Sequence, residues 1–341
     1  MAVFKKYNNT IGFAIDSVSF GTWNAPAKFL LLQKIDPPAY SREIIDHALT
    51  RGNPYQHVDD INEGFESSTL TLTGPVPIVG TDDAFLIILA NALPKVTRTG
   101  SSVPYTHLFV PQKDEPTLGL SFSACIGGAK RYKIAGCRIK SLKLSGEVNG
   151  TMTFEASLIG GKIVEDKTMD TPSFSLISGR PKFWESPNCA VSLELPTGTA
   201  LSNFVKWEFA LENTVLSSPT QAGQLGNDTF VQLPFGEIKA TGKITRRLDV
   251  SDGSGGTASK MFDLFKNLND TPLRIKYTGP AFSGTNYSLQ IDSRIVITER
   301  PALSDDGGIY MEEGSFQCRY DGTNPIMAVT TVSASATPAS T

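Results

Sequence analysis

The sequence predicts a mainly β protein built from two tandem β-sandwich or barrel domains, each with one flanking α-helix. Strand signals dominate the chain, only two segments have the spacing of an amphipathic helix, and similar segments recur at a shared distance along the chain. With 341 residues, 40% of them hydrophobic and 19% charged, the chain has enough apolar material for one or two globular domains.

Alternation of apolar and polar residues predicts the strands. Every second residue from Leu118 to Ala124 is apolar, and the residues between them are small or polar. The same alternation occurs at 151–158 and at 205–211. A period of two turns one face of a strand toward a core, so half-buried and antiparallel strands are expected.

Two segments have helical spacing. The first begins at the N-cap candidate Thr81, has Asp82 and Asp83 in its first turn and ends before Pro94, while the second spans Lys260 to Leu268. Each has an apolar stripe that is expected to face a core. The stripe residues are Phe85, Ile88, Leu89 and Ala92 in the first helix and Met261, Leu264, Phe265 and Leu268 in the second.

A repeat relates the two halves of the chain. The residue pairs separated by 176 positions are Phe13 and Cys189, Phe29 and Val205, and Phe85 and Met261. After the helices the separation falls to 155, which aligns Leu118–Phe122 with Leu273–Tyr277. Several elements at a common spacing indicate a duplicated domain.

Composition sets the predicted boundaries: domains at 1–168 and 182–330, a linker at 169–181, and a flexible Ser/Thr/Ala/Pro tail at 331–341. The first copy also has a long linker from Lys95 to Pro116 and a charged arm at 37–64. Loops of the arm's length are uncommon inside a domain, so a functional contact is expected there. Its candidate contact residues are Tyr40, Arg42, Glu43, Asp46, Arg51, Tyr55, Asp59, Asp60 and Glu63.

Charge and targeting signals exclude several classes of function. Lys and Arg number 31 against 34 Asp and Glu, so a tight grip on nucleic acid is not expected. No apolar run reaches the length of a membrane span, and the first ten residues lack the pattern of a secretory leader. A soluble product of a cytoplasm is therefore expected.

No residue pattern predicts catalysis, a cofactor or a metal site. His47 and His57 lie among the acidic residues of the arm, but their spacing matches no metal motif, and a solvated or interface loop is the favoured interpretation. Ser251–Gly256 has the residues of a protease nucleophile loop in the wrong order. The widely spaced cysteines, interpreted as buried hydrophobic residues, are Cys125, Cys137, Cys189 and Cys318.

One strand has a basic face. It consists of Lys239, Lys243, Thr245 and Arg247, which alternate with small or apolar residues. Such a face could contact phosphates, but a surface that faces solvent or another subunit is the favoured interpretation.

The sequence predicts a hairpin whose strands run from Arg131 to Gly146 and from Thr151 to Gly160, and Asn149-Gly150 in the turn supplies the positive φ angles of a hairpin. This hairpin resembles that of the major tail-tube proteins of long-tailed bacteriophages. The segments of the second half that resemble the family are 233–237, 240–242, 272–279 and 315–321. The likeness spans most of the chain.

The resemblance implies a structural virion protein without enzymatic activity, made in the bacterial host's cytoplasm, whose rings stack into the tail tube that conducts DNA during ejection. It also implies partners: other copies of the chain, the tape-measure protein and weakly held genomic DNA in the lumen, and the tail terminator and distal tail proteins, with no membrane. Alternatives left open are a tube protein of a contractile injection machine and a capsid decoration or adhesin protein.

The duplicated domain changes the expected ring. Most members of that family have one tube domain and form six-membered rings, so two domains per chain imply trimers with pseudo-six-fold symmetry. The arm at 37–64 would then contact an adjacent ring.

Overall fold

The structure, a computed structural model, describes most of the chain. The described residues are 10–26, 28–30, 32, 34–35, 38–46, 61–78, 84–112, 118–126, 130–165, 182–194, 200–201, 203–218, 223–224, 227, 229–248 and 260–336. Within them the chain is mainly antiparallel β-strand with two α-helices, which confirms the prediction of a mainly β fold. Neither described helix is long and apolar enough to span a membrane.

The elements of the first half are β1 (Thr10–Ile15), β2 (Lys28–Leu30), β3 (Lys34–Ile35), β4 (Ala39–Asp46), β5 (Ile61–Pro75), β6 (Pro77–Ile78), α1 (Ala84–Ala92), β7 (Lys95–Thr99), β8 (Tyr105–Val110), β9 (Leu120–Ile126), β10 (Lys130–Glu147), β11 (Thr153–Gly160) and β12 (Ile163–Glu165). Those of the second half are β13 (Lys182–Phe183), β14 (Cys189–Glu194), β15 (Ala200–Leu201), β16 (Phe204–Val215), β17 (Phe235–Arg247), α2 (Lys260–Asn267), β18 (Asp270–Phe282), β19 (Thr285–Ile297), β20 (Ala302–Asp306), β21 (Ile309–Arg319) and β22 (Ala328–Ser333).

The strands of the two halves pair in the same order. The first half runs β1, β9, β10, β11, β5, with β3 and β4 beside β5. The second half runs β14, β18, β19, β21, β17, β16. Along the chain, α1 lies between β5 and β9, and the helix of the second half lies between β17 and β18. In both halves these are the fifth and the second strands of the pairing order. The two halves therefore share this order of strand pairing.

The pairing registers also coincide. Equivalent pairs are Phe13 opposite Phe122 and Cys189 opposite Tyr277, and likewise Ile35 opposite Leu72 and Leu211 opposite Ala240. The shift from Phe13 to Cys189 is 176 residues and that from Phe122 to Tyr277 is 155, the two separations found in the sequence. Phe29 was predicted to correspond to Val205 of β16, but it lies in β2, which pairs with β1. The strand of the first half that corresponds to β16 is β3.

The helices supply apolar side chains to one continuous core. Phe85, Ile88 and Leu89 of α1 are buried, and the Phe85 ring lies 5.5 Å from that of Phe154. In α2, Met261 and Leu264 are buried and Phe265 is half-buried. The N-cap candidates Thr81, Asp82 and Asp83 lie outside the described residues.

Leu268 departs from the predicted stripe. The helix ends at Asn267, and Leu268 adopts a φ of 50° with its side chain 68% exposed. Its N–H donates to the carbonyl of Phe265, which terminates the helix with a tight turn. The prediction that Leu268 faces the core is wrong because periodicity alone does not locate the end of the helix.

Strands of the two halves pair with each other in segments that the sequence predicted to be a linker and a tail. The supposed linker Lys95–Pro116 contains the hairpin of β7 and β8, and β8 pairs with β22 of the second half. Because β22 is held between β8 and β19, the chain is ordered through Ser333, and Thr331 and Ser335 are buried. A loose tail from residue 331 is therefore wrong for 331–336; residues 337–341 and the linker 169–181 lie outside the described residues.

Candidate assembly surfaces

One sheet extends across both halves of the chain. The second part of β10 lies between β11 and β16, so that Leu142 is opposite both Ala156 and Leu211. We name the pairing of β10 with β16 the junction. Through it, β5, β11, β10, β16, β17 and β21 form a continuous six-stranded antiparallel sheet.

The inward face of this six-stranded sheet is apolar and buried. Phe154, Leu144, Phe209 and Phe316 lie on it, each less than 3% exposed. Near the junction, the indole N–H of Trp207 donates to the hydroxyl of Tyr277 at 3.2 Å, and burial raises the pKa of that hydroxyl. This face is thus committed to the core, so contacts outside the chain are left to the opposite face and to the strand edges.

The outward face is polar and nearly charge-balanced. Its lysines have carboxylate neighbours: Lys143 Nζ lies 3.0 Å from Glu208 across the junction, and Lys243 Nζ lies 3.4 Å from Glu313. The other polar residues of this face include Thr71, Thr73, Ser141, Ser145, Thr153, Glu155, Ser157, Lys206, Glu212, Lys239, Thr241, Thr245, Ser315 and Gln317. Exposed pairs of this kind add little stability, so their main effect is on the surface potential.

The basic face predicted on β17 is part of this outward face. Lys243 pairs with Glu313, and Lys239 lies 3.1 Å from Glu237 and directly opposite Glu212. The lysine charges are therefore compensated by carboxylates on the same and neighbouring strands. A sequence pattern on one strand could not reveal this, because most of the compensating residues belong to other strands.

The described part of the arm is a β-hairpin made by β4 and β5. Tyr40, Arg42 and Glu43 lie exposed on β4, Asp46 ends that strand, and Glu63 lies on β5. The candidates Arg51, Tyr55, Asp59 and Asp60, together with His47 and His57, lie outside the described residues. The structure thus brings Tyr40, Arg42 and Glu43 onto one strand at the base of the arm.

A buried carboxylate that the sequence analysis missed anchors this hairpin. Glu66 of β5 is 1% exposed, forms an ion pair with Arg42 and lies 3.3 Å from Lys162 Nζ. Arg42 Nε also donates to the Tyr40 hydroxyl at 3.0 Å. Burial alone would raise the pKa of Glu66, but hydrogen bonds from Tyr40, Arg42 and Lys162 outweigh it and hold the pKa below its ordinary 4.5.

The anchor of the arm is expected to open in acid. Because the folded pKa of Glu66 is lowered, its ionised form stabilises the hairpin fully above the unfolded pKa, and this contribution is lost as pH falls through the folded pKa. After correction for the intrinsic pH dependence of amide exchange, the protection of the β4 amides should therefore fall as the pH drops below the ordinary 4.5 of a glutamate. The Glu66→Gln variant should exchange faster already at pH 7 and lose most of the pH dependence; identical profiles for the two proteins would contradict the role of Glu66.

Potential metal ligands and cysteine thiols are the remaining candidates for reactive groups in the described part of the chain. No group of three or more His, Cys, Asp or Glu that could ligate a metal occurs in the described part of the chain. Cys125, Cys137 and Cys318 are buried and Cys189 is half-buried. Burial raises the pKa of the Cys318 thiol to about 12, so it is not a reactive thiolate at neutral pH.

Comparison with known proteins agrees with a structural role. A family model described as "Phage tail tube protein" matches residues 7–334, nearly the whole chain. Curated proteins include no significant match to the chain. Proteins of this family are structural, typically non-enzymatic components of the virion that assemble with copies of themselves into the tail tube. The chain belongs to the phage tail tube protein family.

Proposed function

We propose that this chain polymerises as stacked trimeric rings into the tail tube that conducts DNA during ejection, each chain supplying two tube domains. The observation that carries the proposal is the junction, which joins two halves of the same topology edge to edge in one sheet. A contact that already links two equivalent units inside a chain can link further units between chains.

The shared pairing order and registers support a duplicated domain. A slip of one residue moves every side chain of a strand to the other face, so a register is specified strongly wherever one face is buried. Two unrelated folds would not share registers on strand after strand. Strands β1–β12 fall within 1–168 and strands β13–β22 begin within 182–330, which fits the proposed domain boundaries.

Six such units then need three chains. If the junction is repeated between chains, each chain covers two steps of the ring, and a closed ring of six units is a pseudo-six-fold trimer. Repetition also pairs strand edges that would otherwise remain open to uncontrolled association.

The outward polar face is the surface that suits the lumen. Compensated lysines such as Lys143 and Lys243 release few counterions when DNA approaches, so contact with phosphates is weak and sequence-independent. A polyanion can then slide along the lining. The tape-measure protein would occupy the same lumen before DNA, and the tail terminator and distal tail proteins would bind the two open ends of the tube.

Electron microscopy tests the proposal. Concentrated purified chain should form rings or hollow tubes, and antibody labelling of virions that contain it should mark the tail shaft. Protein that stays monomeric at high concentration, or labelling of the capsid or tail tip alone, would contradict the proposed function.

The distal part of the arm is expected to connect successive rings. Replacing residues 47–60 by Asn-Gly keeps the β4–β5 pairing, because Asp46 and Ile61 are already opposite each other and Asn-Gly forms a two-residue hairpin turn. This variant should form rings that do not stack, as seen by sedimentation and microscopy. A control variant with a Gly/Ser loop of the original length keeps the length of the arm but removes its side chains, and so shows which of the two is needed for stacking. Normal tubes from the Asn-Gly variant would contradict the inter-ring role.

A further inference from the structure

The junction identifies the strand edge that must close the ring. Leu142 of β10 and Ile295 of β19 occupy equivalent positions. Ile134 and Leu289 lie opposite the equivalent residues Phe122 and Tyr277, and Leu142 follows Ile134 by eight residues whereas Ile295 follows Leu289 by six, because the two register shifts of β10 each insert one residue. In the junction, Leu142 pairs with Leu211, whose equivalent in the first half is Ile35. If the proposed ring forms, Ile295 of one chain should therefore lie opposite Ile35 of the next.

Strand β3 supplies the edge offered by the first half. Strand β3 pairs with β5 through Lys34 and Ile35, and no other strand pairing of β3 occurs among the described residues. Since a strand has two edges, β3 can accept a second strand, as the equivalent β16 does by pairing with both β17 and β10.

The edge required from the second half is occupied. Ile295 is paired with Cys318 of β21 on one side and with Thr271 of β18 on the other. The pairs Asp270 with Val296 and Pro272 with Arg294 flank it. Incoming β3 would need the positions that Asp270–Pro272 hold.

The first half avoids this conflict through irregular strand pairing. Register shifts interrupt β10 between Ile134 and Cys137 and again between Ile139 and Ser141, and its described pairing with β9 ends at Cys137. The edge of β10 is thus free for β16 from Ser141 onward. The corresponding stretch of β19 pairs with β18 without a shift from Asp270 to Thr278.

Side chains hold the covering segment in place. Arg294 Nε lies 2.7 Å from an Asp270 carboxylate oxygen and 3.5 Å from one of Asp321, and Thr271 is 1% exposed. We propose that Asp270–Pro272 is a latch: it covers the ring-closing edge of β19 in the isolated chain and is displaced by β3 of a second copy. This inference rests on the proposed function and adds to it a contact that restrains premature polymerisation.

A reversible cross-link tests the latch. The Asp270→Cys/Val296→Cys variant places two thiols directly opposite each other, at the spacing a disulfide can bridge, and should lock the latch when oxidised. The matched control Thr278→Cys/Ser288→Cys cross-links the same two strands outside the ring-closing edge. The oxidised latch variant should lose nearly all tube formation and regain it on reduction, whereas the control should assemble in both states.

The outcomes separate the latch from the proposed function. Tubes from the oxidised latch variant would overturn the latch while leaving the tube role intact, whereas absence of tubes from the wild-type chain would overturn both. If the reduced variant fails to assemble, hydrogen exchange on the wild-type chain decides. On assembly, a peptide covering 270–273 should lose protection and one covering 294–297 should keep it; unchanged protection at 270–273 would refute the latch.

Discussion

Replacing Glu312 by Ala is expected to lower the free energy of unfolding by about 3–5 kcal/mol. Glu312 and Arg246 lie opposite each other on β21 and β17, with Nε 3.0 Å from the carboxylate and both side chains at most 2% exposed. The substitution removes the carboxylate that this buried guanidinium faces across the strand pair. Urea unfolding monitored by circular dichroism measures the loss.

A double variant distinguishes the cost of an orphaned charge from the value of the ion pair. Arg246→Met/Glu312→Leu removes both charges and retains apolar volume, so its stability should be close to that of the wild type or slightly higher. Equal destabilisation by the single and double variants would show that the pair itself, and not the uncompensated charge, governs stability at this site.

The Phe85→Ala variant is expected to lose about 3–5 kcal/mol of unfolding free energy. Phe85 is 1% exposed and its ring packs at a tilt against Phe154 beneath the six-stranded sheet. Removing the ring leaves a cavity between α1 and that sheet. Thermal unfolding of the isolated chain measures the effect.

The second helix supplies a control for this variant, an apolar ring that is less buried. Phe265 of α2 is only half-buried, so Phe265→Ala should cost clearly less than Phe85→Ala. An equal or larger loss at Phe265 would contradict the burial described for the two helices.

The local part of the fold was predictable from the sequence. Alternation in segments such as Leu118–Ala124 and Leu273–Tyr277 reflects which face of each strand is buried, and burial also fixes the register. The separations of 176 and 155 residues therefore relate strand pairs in the two halves. Phe13 lies opposite Phe122 in the first half, just as Cys189 lies opposite Tyr277 in the second. Helical spacing located α1 and α2 because each helix also buries one face.

Contacts between distant parts of the chain were not predictable. The composition of 331–336 is typical of a loose tail, yet the segment is ordered because β8, more than 200 residues away, pairs with β22. Glu66 occupies an inward position of an alternating strand, a signal that was available, but its partner Lys162 lies 96 residues away. The compensation of Lys243 by Glu313 depends likewise on a neighbouring strand.

The number of chains per ring tests the central claim most directly. Cryo-electron microscopy of assembled tubes, with the symmetry determined without imposing it, should show three chains per ring and six similar units that alternate between the first and second halves. Each boundary between units should show a strand pairing equivalent to that of β10 with β16. Rings of six chains, or rings in which the two halves lie on different radii, would contradict the account.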